Sequence, residues 1–156
     1  MLQLGLIPLV LNGLRTVDPG LPVSQYIRGG LAAGAAVLAS CGGGSEFQKY
    51  SALTQVRPGD ATVASPEALR ALHDQLARSS LPQRRAAGPL FVAYGDRDQL
   101  VTPAWTAAAV RRACGIGDRV AVTVEAGRGH TDLSSGPAAL AWIGDRFAGT
   151  PAPSDC

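Results

Sequence analysis

Residues 88–149 alternate in character, and this alternation constrains the fold more than any other feature of the chain. An apolar run at 89–94, bounded by Gly and Pro, leads into a helix-forming stretch at 103–114. A Val-rich run at 119–125 and a last helical stretch at 136–147 follow. Short apolar runs between turn residues are the pattern of buried strands. A strand that reaches the next one through a helix returns parallel to it, by a right-handed crossover. The expected class is therefore α/β, in the order strand, helix, strand, helix. Helix punctuation agrees: Thr102 precedes Pro103 as a cap, Arg111 and Arg112 fall in the last turn, and Gly115 and Gly117 end the helix. Gly149 and Pro151 stop the last one.

Upstream the alternation is missing. Residues 4–14 and 23–40 are expected to be helical, separated by the turn Asp18-Pro19-Gly20. A third helix starts at Ser65-Pro66-Glu67, a capping hydroxyl followed by a proline suited to the first turn and an acid that complements the helix dipole. Leu69, Leu72 and Leu76 mark one of its faces, and it stops before Pro82. The resulting plan is a helical region at 1–82, a polar linker at 83–88, an α/β portion at 89–149 and a tail at 150–156.

Composition excludes more than it suggests. The 156 residues can bury a core of their own. With a formal charge of +2 and no basic run longer than Arg84-Arg85 or Arg111-Arg112, no nucleic-acid partner is expected. Cys41, Cys114 and Cys156 form no C-x-x-C, so no zinc site is expected, and neither is another metal or a cofactor. An odd count leaves at least one cysteine free or bonded outside the chain. The apolar N-terminus lacks a basic flank and a cleavage site, so it does not make a convincing signal peptide. Leu38-Ala39-Ser40-Cys41, followed by a Gly/Ser tether, looks like a lipoprotein box. It supports a rival reading, a non-catalytic surface lipoprotein or binding module anchored through Cys41. Against it, the box would sit behind a long segment holding Asp18 and prolines. The apolar run is also too short to span a bilayer, which takes about 20 residues.

In open α/β sheets, reactive groups collect in the loops beyond the strand C-termini. The first such loop is Gly95-Asp96-Arg97-Asp98, and the second is Gly127-Arg128-Gly129-His130. A carboxylate and an imidazole can meet there. An imidazole that takes a proton from a weak nucleophile needs a carboxylate to fix its tautomer. Two aspartates compete for that place. G-x-x-D spacing favours Asp98, while Asp96 directly follows the strand and can brace the loop. His73, beside Asp74 in mid-helix, is read as a solvated residue.

The stretch PLFVAYGDRDQLVTP, the helix ending in Cys114-Gly115, the GRGH loop, AWIGDRFAG and the closing Cys156 resemble the secretory lipases of fungi and actinobacteria, members of the α/β-hydrolase superfamily. GLRTVDPGLPVSQYI, the helix ending in Cys41 and SPEALRALHDQLARSSLP are similar, more loosely, to that family's cap region. The resemblance implies a C-terminal part of an α/β-hydrolase fold preceded by a helical cap. It implies an ester or lipid substrate, secretion, Asp98 as triad acid and His130 as triad base. Acid before base also matches the hydrolase chain order Ser, Asp, His. A Cys114–Cys156 disulfide is implied, with Cys41 paired to a cysteine outside this chain, and Trp142 to Gly149 as part of a last helix behind the sheet. Peptidases and acyltransferases of the superfamily place Asp and His similarly and are the nearer rivals.

One departure is large. The family's nucleophile sits in a G-x-S-x-G elbow, and no serine here has glycine at both flanking positions. Ser45 comes nearest, with Gly43 before it but Phe47 after it. The expectation is an inactive fragment or half of a split enzyme, whose serine lies in a missing N-terminal half. Two strands alone are marginal in water and expose an edge, so poor solubility is expected as well.

Overall fold

The computed structural model describes residues 2–40 and 46–156; Cys41, the glycines at 42–44 and Ser45 lie outside the described residues. The chain divides into two compact units, Met1–Ser79 and Ser80–Cys156.

The first unit is helical. Helix α1 (Leu2–Leu14) is followed by a 3-10 turn at Val23–Gln25, two short helices α2 (Gly29–Ala33) and α3 (Ala35–Leu38), α4 (Glu46–Thr54), a second 3-10 turn at Pro58–Asp60, and α5 (Pro66–Ser79). Leu11, Leu14, Leu21, Tyr26, Ile27, Leu31, Val56 and Ala68 form its core. The single helix expected over 23–40 is not formed. The cause is close packing around buried Asp60, whose carboxylate accepts from the amides of Leu31 (3.3 Å) and Arg57 (3.0 Å). A Cβ on Gly30 would lie 2.1 Å from the Gln55 carbonyl oxygen, and Gly29 turns at φ +53°. The chain bends at these glycines so that α2 can press against the segment at 55–60. Helix α5 begins where the sequence signals it, with the Ser65 hydroxyl accepting from the Ala68 amide at 3.2 Å. Ala68 and Leu72 reach the core, while Leu69 is exposed.

The second unit carries the strand–helix alternation: β1 (Leu90–Gly95), α6 (Pro103–Gly115), β2 (Val120–Glu125) and α7 (Gly136–Phe147). The strands are parallel, with Leu90 opposite Val120 and Gly95 opposite Glu125. Both loops after the strands thus leave the sheet at the same end. Thr102 precedes α6, but its side chain makes no capping bond; its carbonyl takes the Trp105 amide instead. Trp142 of α7 packs against Phe91 of β1, ring centroids 5.8 Å apart, and the Arg146 guanidinium lies over Trp142.

Both ends of this unit are fastened. At the front, the Ala86 amide donates to buried Asp118 (2.7 Å) and Arg112 donates to the Leu81 carbonyl (2.8 Å). At the back, a Cys114–Cys156 disulfide closes the tail onto α6. The tail then follows the outer edge of β2: the Asp155 amide donates to the Val120 carbonyl and the Val122 amide to the Asp155 carboxylate, at 2.8 and 2.7 Å.

Candidate active site

The two strand-end loops meet through a dense set of backbone contacts. The Asp96 amide donates to the Glu125 carbonyl (3.1 Å), and the Arg97 amide to the Arg128 carbonyl (2.9 Å). The second loop crosses directly over the end of β1. A Cβ on Gly95 would lie 2.2 Å from the Arg128 carbonyl oxygen, so only glycine fits there. The glycine of the G-x-x-D loop therefore has a packing role besides its turn role.

This crossing brings Asp98 and His130 together. His130 Nδ1 lies 2.9 Å from Asp98 Oδ2. The other carboxylate oxygen accepts from the amides of Leu100 (2.8 Å) and Val101 (3.0 Å). Asp98 is thus locked from behind and presents its second oxygen to the ring. Its side chain is 7% exposed, against 45% for His130. Burial disfavours the Asp98 charge, but the hydrogen bond from His130 and the two amides outweigh it and hold the carboxyl below its ordinary value. An ionised Asp98 requires a proton on Nδ1, so Nε2 is the lone-pair nitrogen of the neutral ring. Among the described residues no hydrogen bond engages Nε2.

Asp96 takes no part in this pair. Its carboxylate accepts from the Gly127 amide at 2.7 Å and braces one loop against the other. His73 is exposed on α5, 3.4 Å from Asp74. Of the serines near the pair in sequence, Ser134 gives its hydroxyl to Glu125 rather than to His130.

Sequence reasoning passed over Glu125. Its carboxylate accepts from the Ser134 amide and hydroxyl (2.7 and 2.6 Å) and from the Ser135 amide (2.8 Å). Hydrogen bonds from the Ser134 side chain and backbone, with those from Ser135, lower its pKa to about 2. The signal was present but indirect: the amides at the start of α7 need an acceptor, and Glu125 ends the strand nine residues before Ser134.

The model of the secretory lipase family matches residues 2–155 of this chain. No curated protein and no solved structure matches it. The matched stretch contains both strand-end loops with Asp98 and His130, and the chain belongs to the secretory lipase family.

Proposed function

We propose that this chain supplies the acid and the base of a carboxylic ester hydrolase, with Asp98 orienting His130. The carrying observation is the 2.9 Å contact between His130 Nδ1 and a buried Asp98 oxygen, with Nε2 uncommitted among the described residues. In this reading Nε2 takes the proton of a serine hydroxyl as it attacks an ester carbonyl and later returns it to the leaving alcohol. Asp98 stabilises the imidazolium formed in between. The second unit is then the C-terminal portion of an α/β-hydrolase core and the first its helical cap. Family membership supports a lipid or other ester substrate, and secretion. The disulfide supports an oxidising compartment.

The sequence contains no G-x-S-x-G elbow, so the nucleophile comes from a polypeptide carrying one. Without a nucleophile almost all the covalent catalysis is lost, and the isolated chain is inactive. A fluorophosphonate probe tests this, since it labels a serine only when a base activates it. The N-terminal, serine-bearing part of another secretory lipase should be labelled when mixed with this chain, and not when mixed with its His130→Ala variant. Equal labelling in both mixtures would overturn the assignment. Labelling of the isolated chain would place a nucleophile within it, with Ser45 the first position to check. Hydrolysis of a medium-chain ester but not of a dipeptide amide separates the lipase reading from the peptidase one.

A further inference from the structure

The base sits in the middle of a ten-residue connection, 126–135, between β2 and α7. A loop with two glycines and an exposed tip has many conformations, yet the base must stay within hydrogen-bond reach of Asp98. The limb before His130 is fixed by Asp96 on the Gly127 amide and by the Arg97–Arg128 backbone bond. The turn around it is closed locally by Asp132, which accepts from the Gly129 amide at 2.6 Å. The limb after it is tied back to the sheet by Glu125.

We propose that Glu125 is a positioning residue for His130, closing the 126–135 loop by holding Ser134 and Ser135 against the end of β2. No hydrogen bond joins the Glu125 carboxylate to the imidazole, so Glu125 acts through the loop; the proposal rests on the reading of His130 as the base. Three features support it. Glu125 ends the strand, so its backbone is set by the parallel register with Gly95. Its carbonyl accepts from the Asp96 amide, so the same residue also anchors the loop that carries Asp98. Its carboxylate uses both oxygens on three donors of the returning limb, and charge-assisted bonds of this kind are about twice as strong as neutral ones. One side chain therefore sets the length and closure of the His130 loop relative to Asp98. An amide in its place must turn its NH2 toward an N–H or O–H donor, so Glu125→Gln loses at least one of the three bonds.

The test is the His130 Nδ1 proton resonance of the full chain, read by NMR in wild type, Glu125→Gln, Ser134→Ala and Asp98→Asn, beside the amide spectrum of β1, α6 and β2. A hydrogen bond to Asp98 shifts this proton downfield and slows its exchange with water. In Glu125→Gln its exchange should speed by on the order of tenfold, the loss of about one such bond, while the β1, α6 and β2 amides keep their positions. Ser134→Ala removes the hydroxyl bond alone and should have a smaller effect of the same sign; it keeps the test open if Glu125→Gln does not fold. A resonance unchanged in the folded Glu125→Gln chain, or in Ser134→Ala if only that variant folds, overturns the positioning role and leaves the acid–base reading intact. A resonance absent from wild type, or unchanged in Asp98→Asn, overturns the acid–base reading and with it this proposal.

Discussion

Asp98 and Glu125 are both carboxylates held by hydrogen bonds at the end of the sheet, and each is less readily protonated in the folded chain than in the unfolded one. Such a group stabilises the fold above its ordinary pKa, and the contribution is lost as pH falls through the folded value. For Glu125 the ordinary value is 4.5 and the folded one about 2. Amide protection of Ser134 and Ser135, corrected for intrinsic exchange, should therefore hold down to about pH 4.5 and decline toward about pH 2. Loss of protection beginning above about pH 6 would mean that something other than the Glu125 carboxylate closes the loop. At the same scale, the G-x-x-D spacing favoured Asp98 over Asp96 without a physical reason to exclude Asp96. Both follow β1 within three residues, and only the crossing of the second loop decides which meets the imidazole and which meets a backbone amide.

Among the elements, the strand–helix–strand–helix order of the second unit was legible because each piece carries its own punctuation: Pro or Gly at its ends and an apolar run of matching length. The helical region was less so. Residues 23–40 have helix-forming side chains, but Gly29 and Gly30 answer to neighbours at 55–60 that no local pattern announces. The closure of the His130 loop was illegible for the same reason, since the three donors to Glu125 lie nine and ten residues away. Two expectations belong here. Gly95→Ala forces a methyl into the Arg128 backbone; overpacking of this kind costs about 1–3 kcal/mol. Chemical denaturation should show a loss in that range, accompanied by loss of the Asp98–His130 contact; a variant as stable as wild type would mean that the loop does not cross β1 so closely. The Cys114–Cys156 bond has a sequence separation of 42 residues, and chain-entropy bookkeeping gives about 4 kcal/mol for such a closure. Cys114→Ser with Cys156→Ser should lower stability by about that much and free the tail from the edge of β2, read as faster exchange of the Val122 amide. Unchanged exchange would show that the tail holds without its covalent tie.

For the whole molecule, the sheet sets the terms. Parallel strands are normally covered on both faces and flanked by further strands, yet among the described residues β1 pairs with β2 alone. The composition of β1, Leu90 to Tyr94, is apolar on both faces, as in an inner strand rather than an edge. On α7, Leu140 and Phe147 are exposed at 71% and 91%. Exposed apolar surface of this kind favours association in water, and the isolated chain is expected to self-associate, eluting from a sizing column as more than a monomer at micromolar concentration. A monodisperse monomer that melts cooperatively would instead show that the chain is sufficient as it stands. The same arrangement explains how a chain without a serine elbow keeps a well-formed Asp98–His130 pair: the pair depends on β1, β2 and their loops, all of which it contains.

The most direct measurement is p-nitrophenyl butyrate hydrolysis by this chain combined with the serine-bearing part of another secretory lipase, comparing wild type with His130→Ala and Asp98→Asn. Turnover should appear only in the combination. It should fall to background in His130→Ala and by on the order of 10⁴ in Asp98→Asn, where the amide forces the wrong imidazole tautomer. Turnover that survives in His130→Ala, or that the isolated wild-type chain already shows, would contradict the assignment of this chain as the acid–base part of a serine ester hydrolase.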